Sequence, residues 1–204
     1  MWQGAAAACT TKTMPRIPYP DPASVPDELK GLVKDRLPLN IYRMLMHTPR
    51  VMPGWLALGT CVLQKSRLDR KLRELAILRV GHLSKAPYEV HQHRKLATAV
   101  GLSDAKIAAA ASGPTAEIFD ARERALLQFT DEVVGQVKSS DATFAALQQH
   151  FDSELILEIL ITVGMYMTAA RIMENLEIDI EADGGPSMDV VRERAASVIA
   201  PSKE

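Results

Sequence analysis

The sequence predicts an all-α protein, and three observations support this fold class. No stretch alternates apolar and polar residues with the period of two that a half-buried strand requires. Apolar residues recur instead at spacings of three and four, as at Phe119, Ala125, Leu126, Phe129 and Val133. Residues that typically begin or end helices lie at the limits of these periodic segments. The rest of the organisation follows from these limits.

An extended arm precedes the helices. Residues 14–28, MPRIPYPDPASVPDE, contain five prolines, which lack a backbone N–H donor and block helix formation. We therefore expect an extended or disordered arm over 1–28 and one helical domain over 29–180. A C-terminal tail over 181–204 is expected to be partly helical.

Nine segments of the chain are predicted to be helices from their apolar periodicity and their caps. Asp69 can accept hydrogen bonds from the first turn of one helix, Pro87 suits the first turn of the next, and Gly101 can end it in the left-handed conformation. The predicted helices span 27–36, 39–48, 50–66, 70–83, 87–100, 103–112, 119–138, 141–150 and 153–175. Two of them begin alike, with RELAIL and SELILEIL, which indicates an internal helical duplication unless leucine-rich helices resemble each other by chance.

The composition excludes several classes of protein. With 24 basic and 25 acidic residues the net charge is −1, whereas phosphate binding needs a basic surplus, so no nucleic-acid partner is expected. Two cysteines, Cys9 and Cys61, exclude a disulfide framework and fit a reducing compartment. The apolar run 155–170 contains Glu158 and is shorter than a membrane span. We expect a soluble, cytoplasmic protein with no membrane partner.

Glu74 is the first candidate for chemistry. On a helix it shares a face with Ile77, Leu78 and Gly81, whereas a surface glutamate normally lies above polar residues. Burial favours the protonated form of a carboxyl group, which makes it usable as a general acid or base near neutrality. The alternative is a structural ion pair with Lys71, Arg73 or Arg79.

A second group of candidates lies in the stretch SKAPYEVHQHRKLA, residues 84–97. Glu89 and His93 are four positions apart and therefore neighbours on one helix face, whereas His91 points elsewhere. Glu89 can orient the His93 imidazole, and either group can move a proton, so we predict an acid–base dyad. An exposed helix pair is the alternative.

No metal or cofactor is expected. Glu89 and His93 can supply two metal ligands, but His82 and His91 do not complete a recognisable ligand spacing. Gly-rich phosphate loops, Gly-x-Ser-x-Gly and Cys-x-x-Cys motifs are absent from the sequence.

The run RELAILRVGHLSKAPYEVHQHRKLATAVGLSDAKI resembles the core of the carboxymuconolactone decarboxylase superfamily, which includes alkylhydroperoxidase D. The resemblance places Glu74 on the family glutamate and His93 on the family histidine. It places Ala86 and Glu89 on the two cysteines of the peroxidase branch, so the dithiol chemistry that needs both thiols is not expected. Tyr88-Glu89-x-x-x-His93 is similar to a thiol-free branch. The fold implied is a compact, all-α alkylhydroperoxidase D-like fold.

The resemblance implies a cofactor-independent reaction on a small lactone acid, as in the breakdown of aromatic compounds. We predict a decarboxylase-like lyase, isomerase or hydrolase that acts on a small oxygenated carboxylic acid or lactone. Glu74, Glu89 and His93 are the expected catalytic residues, and Tyr88 is expected to bind substrate. Arg171 is either a carboxylate anchor or a surface arginine.

Two alternative functions, and the prediction that the chain forms a homo-oligomer, remain to be tested. The chain can carry a peroxidase-type family label without the dithiol chemistry, with at most a residual redox role for Cys61. It can also be a non-catalytic helical oligomer that binds a ligand. The apolar content of helix 153–175 predicts a homo-oligomer, and the resemblance implies a trimer or hexamer.

Overall fold

The computed structural model describes residues 14–34, 36 and 38–197. Within them the chain forms ten α-helices and no strand, which confirms the predicted fold class. Cys9 and the rest of residues 1–13 lie outside the described residues, as do 198–204. The helices are α1 (Asp27–Val33), α2 (Asn40–Leu45), α3 (Met52–Thr60), α4 (Arg70–Leu83), α5 (Pro87–Ala99), α6 (Asp104–Ala109), α7 (Ala121–Gln136), α8 (Asp141–Gln148), α9 (Ser153–Leu176) and α10 (Met188–Ser197).

The strongest local signals give the most accurate helix limits. The Asp69 side chain accepts from the backbone N–H groups of Lys71 and Leu72, so α4 begins where the cap predicts. Gly101, with a φ of +83°, follows the end of α5 as expected. The predicted helix 50–66 is different, because its last turn, Cys61–Lys65, is π-helical.

The core is built around α4, which packs against α5, α7 and α9. Every residue of α4 from 72 to 81 is buried. One cluster joins α4 to α7 and α9 through Ile77, Phe129, Ile159 and Val163. Because α4 has protein on several sides, any polar side chain it carries must find a partner inside the molecule or in a cavity.

The α9 helix is longer than the apolar run within it. It has 24 residues, so by length and composition alone it passes the test for a membrane span, although a buried core helix passes the same test. Ile159, Val163 and Tyr166 of α9 are buried in the core. Leu157, Leu160 and Ile161 remain exposed on its outer side.

The C-terminal segment folds back onto the helical domain. Glu177, in the left-handed conformation, ends α9, and Gly184 and Gly185 have φ values of +78° and +79°. The chain then reaches α10, which packs on α5. The predicted partly helical tail is thus attached to the surface of the domain.

Candidate active site

The α4 and α5 helices bring the predicted catalytic residues together. They are joined by the short turn 84–86, in which Lys85 has a φ of +53°. A Cβ atom on Gly81 would lie 2.9 Å from Val90 Cγ2 and 3.7 Å from Glu89 Cβ. The glycine therefore allows α5 to approach α4 closely at the level of the site.

Glu74 and His93 form a buried hydrogen-bonded pair between these helices. Nδ1 of His93 lies 2.8 Å from Oε2 of Glu74, and the two residues are 8% and 1% exposed. Arg73 Nε lies 3.5 Å from the other oxygen, Oε1. A carboxylate accepts a hydrogen bond from Nδ1–H, so this contact fixes the imidazole tautomer and leaves Nε2 as the nitrogen that can take a proton.

Glu89 lies beside this pair but is not hydrogen-bonded to it. The residue is 2% exposed, and neither of its carboxyl oxygens has a hydrogen-bond partner among the described residues. Burial, together with the nearby charge of Glu174, raises the pKa of Glu89 well above its usual value. The prediction that Glu89 orients the His93 imidazole is therefore wrong, because the histidine pairs with Glu74 across the helix interface.

The Tyr88 hydroxyl is engaged with protein groups. It donates to Glu181 Oε1 at 2.6 Å and accepts from the backbone N–H of Ile41 at 3.3 Å. Burial and the Glu181 hydrogen bond raise the pKa of Tyr88 far above its usual value. Tyr88 connects the C-terminal segment to the site, and its predicted role in substrate binding stays a prediction.

A cavity of about 230 Å³ is lined by all four predicted site residues. Tyr166 also lines it and places its ring edge-on to His93, with centroids 4.8 Å apart and an interplanar angle of 88°. The rest of the apolar wall comes from several helices and the π-helical turn. It includes Leu39, Trp55, Leu63 and Met165.

Sequence reasoning missed the cationic side of this cavity. Arg36, Arg70, Arg73 and Arg194 line it, whereas Arg171 is exposed on α9 and donates to Met167 O of its own helix. The available signal was the position of Arg73 next to a glutamate predicted to be buried. No cluster of three or more metal-ligating side chains occurs within the described residues.

The other two candidates lie away from the reactive pair. His91 Nε2 is 3.0 Å from Gly184 O, so it contacts the C-terminal segment, and its predicted orientation away from His93 is confirmed. Cys61 is exposed in the π-helical turn and faces a separate pocket with Leu58 and Glu158.

Residues 49–132 match the carboxymuconolactone decarboxylase family. The matched segment contains Glu74, Glu89 and His93. This confirms the resemblance at the level of the superfamily, whereas the thiol-free branch remains a prediction. No curated protein matches the chain.

Solved structures share the fold. A protein of unknown function from Agrobacterium tumefaciens, described as an alkylhydroperoxidase D-type antioxidant defence protein, is 26% identical, with a TM-score of 0.63 over 66% of this chain and 93% of that one. The alkylhydroperoxidase D core of a peroxidase-related protein from Ralstonia eutropha is 20% identical, with a TM-score of 0.75 over 88% and 97%. The debrominase Bmp8, in a Cys-to-Ala variant bound to 2,3,4-tribromopyrrole, is 17% identical, with a TM-score of 0.68 over 93% and 98%. These similarities confirm the alkylhydroperoxidase D-like fold.

Proposed function

We propose that the protein is a cofactor-independent acid–base enzyme that acts on a small oxygenated carboxylic acid or lactone. The reaction would be that of a decarboxylase-like lyase, an isomerase or a hydrolase. One observation carries the proposal: a histidine held by a buried carboxylate lies in the same cavity as a second carboxyl group that has no hydrogen-bond partner in the described part of the chain.

His93 is the proposed base. Glu74 accepts from Nδ1 and stabilises the imidazolium that forms when Nε2 takes a proton, as an orienting carboxylate does in other acid–base sites. The edge of the Tyr166 ring packs against the imidazole and restricts its rotation. Glu74 is thus an orienting group, whereas the sequence alone suggested a general acid or base.

Glu89 is the proposed acid. Its raised pKa keeps the carboxyl group protonated at pH values where an ordinary glutamate is ionised. In an isomerisation, His93 removes a proton from the carbon next to a carbonyl group, and the C–H electron pair moves to form an enolate. Glu89 donates its proton to that enolate, and the two residues then exchange protons with water to restore their initial states.

The cavity limits the size of the substrate. Its volume of about 230 Å³ lies below the roughly 300–1,000 Å³ typical of sites for drug-sized ligands. The wall of Trp55, Leu63, Met165 and Tyr166 suits a small apolar ring. Bmp8, which shares the fold, was crystallised with a small ring compound, which supports a ligand of this size.

The absence of cysteine from the matching positions supports proton transfer over peroxidase chemistry. Ala86 and Glu89 occupy the positions of the two thiols in the resemblance, and peroxide reduction of that type needs a nucleophilic and a resolving thiol. Glu89 gives the site a titratable oxygen acid in place of one of these thiols.

The test is solvent-proton exchange in D₂O. A panel of small lactones and oxo or hydroxy acids is incubated with the protein, and deuterium incorporation or product formation is followed by NMR. His93→Ala is expected to lower the rate by about 10²–10⁴, whereas the matched control His82→Ala, outside the cavity lining, is expected to leave it unchanged. A non-catalytic ligand-binding protein would show no exchange with any compound.

Assembly into a homo-oligomer is part of the proposal. Leu157, Leu160 and Ile161 form an exposed apolar row on α9, and Leu58 is exposed on α3. Light scattering at micromolar concentration is expected to give a mass above that of the 22.4 kDa chain. A monomer under these conditions would contradict this part of the proposal.

A further inference from the structure

Two buried arginines of α4 differ sharply in how well their guanidinium groups are satisfied. Arg79 is 8% exposed, donates twice to Asp131 at 2.5 and 2.7 Å, and also donates to the carbonyl oxygens of Ala110 and Ala111. Arg73 is 4% exposed, and its Nε has no hydrogen-bond partner among the described residues. Its contact with Glu74 Oε1, at 3.5 Å, is an ion pair without a hydrogen bond.

This difference calls for a physical explanation. A buried guanidinium group has lost its hydration and presents several N–H donors, so leaving donors unpaired is costly. Arg79 shows that this fold can supply an acceptor to each of the three nitrogens of a buried guanidinium group. Arg73 lines the cavity instead, where a bound molecule can accept hydrogen bonds from the guanidinium group.

The charges around the cavity favour an anion. Arg36, Arg70 and Arg194 line it together with Arg73. Glu74 and Glu89 are the acidic residues in the cavity lining, and the raised pKa of Glu89 keeps its carboxyl group neutral over a wider range of pH. Oε2 of Glu74 accepts from His93, and Oε1 lies 3.5 Å from Arg73 Nε without forming a hydrogen bond.

We propose that Arg73 is the specificity-determining residue of the site and binds an anionic oxygen, a carboxylate or an enolate, of the ligand. A planar guanidinium group is suited to such an oxygen pair. This inference rests on the proposed function for the identity of the site. It assigns recognition of the anion to Arg73 of α4 and not to Arg171 of α9. An anchored carboxylate would place the ligand ring against Tyr166 and within reach of His93.

The test compares two probes that differ in charge and not in shape, benzoate and benzamide. Isothermal titration calorimetry with the wild-type chain is expected to show tighter binding of benzoate. Arg73→Gln is expected to weaken benzoate binding by roughly 10- to 100-fold while leaving benzamide binding unchanged. The matched control, Arg171→Gln, removes an exposed arginine and is expected to leave the affinity for both probes unchanged.

Further variants separate this inference from its alternatives. Arg73→Lys retains a positive charge in place of the guanidinium and is expected to recover part of the preference for benzoate. His93→Ala is expected to keep the preference even if it abolishes turnover, so failure of the proposed reaction and failure of anion binding are distinguishable. The inference is overturned if the wild-type chain binds benzoate no more tightly than benzamide. Undetectable binding of both probes counts as this result. An equal loss of both probes in Arg73→Gln, with native circular dichroism, also overturns it.

Discussion

His93 Nδ1 lies 2.8 Å from Glu74 Oε2, and this hydrogen bond joins α4 and α5 through two buried side chains. The hydrogen bond fixes the orientation of the imidazole ring. Nδ1 is bonded to the carboxylate, and Nε2 remains available to accept a proton. Glu89, four residues before His93, lines the same cavity, and its carboxyl oxygens have no hydrogen-bond partner among the residues that the structure describes.

The energetic coupling of Glu74 and His93 can be measured with a double-mutant cycle. Glu74→Ala and His93→Ala each leave a buried polar group unpaired. The loss of unfolding free energy in each single variant is therefore expected to exceed the net contribution of the Glu74–His93 pair to stability. The double variant is expected to show a coupling of about 1–3 kcal/mol in urea unfolding. The control cycle uses Arg67 and Glu154, an exposed ion pair, for which no measurable coupling is expected. Equal coupling in the two cycles would contradict the buried pair.

Glu89→Gln is expected to change how stability depends on pH. The pKa of Glu89 in the folded protein lies above its unfolded value of 4.5, so between these two pKa values the folded state binds more protons than the unfolded state. The contribution of Glu89 is thus fully present below the unfolded pKa and is lost as the pH rises through the folded pKa.

The glutamine in Glu89→Gln does not titrate, so the variant lacks this pH-dependent contribution to stability. Its free energy of unfolding is expected to rise relative to wild type as the pH increases from about 5 to about 8. Urea unfolding at a series of pH values measures this difference, and Glu117→Gln, which removes an exposed glutamate, is the control. A difference that stays constant or falls with pH would mean that Glu89 is ionised in the folded protein.

Glu181 is expected to hold the C-terminal segment on the domain. Its carboxylate accepts from Asn40 N–H at 2.7 Å and from Tyr88 Oη and Gln92 Nε2, each at 2.6 Å. Removing this acceptor with Glu181→Ala leaves three donors without it, so hydrogen-exchange protection in α10 is expected to fall roughly 10- to 100-fold.

The control for this prediction is Glu177→Ala. Glu177 pairs with the exposed Arg16, and its loss is expected to leave α10 protection unchanged. If Glu181→Ala also leaves the α10 amides as protected as in wild type, the segment is held by its other contacts, such as that between His91 and Gly184.

Cys61→Ser is expected to leave turnover unchanged. The thiol is exposed and does not line the cavity that contains His93. The rates of the serine variant and of alkylated wild-type protein are compared with that of the untreated enzyme on the same substrate. A loss of activity in both would support a thiol-dependent reaction.

The sequence predicts most of the fold because its signals are local. The capping carboxylate of Asp69 and the proline at 87 set the beginnings of α4 and α5 within a few residues. The π-helical turn at Cys61–Lys65 escaped prediction because no residue in it distinguishes a π turn from an α turn. The predicted internal duplication of α4 and α9 stays a prediction.

The site is less predictable because its contacts are tertiary. Burial of Glu74 follows from the apolar residues on its helix face, but the choice of partner for His93 depends on how closely α4 and α5 approach. The contact of Tyr88 with Glu181 joins residues 93 positions apart. No periodicity in the sequence indicates such a contact.

The central claim is that Glu74 fixes the tautomer of His93 so that Nε2 is the base. The most direct measurement is the ¹⁵N–¹H correlation spectrum of the histidine side chains in the unliganded wild-type protein, assigned with His93→Gln. At a pH where the ring is neutral, we expect a protonated Nδ1 and an unprotonated Nε2 for His93. A proton on Nε2 with a bare Nδ1 would contradict it.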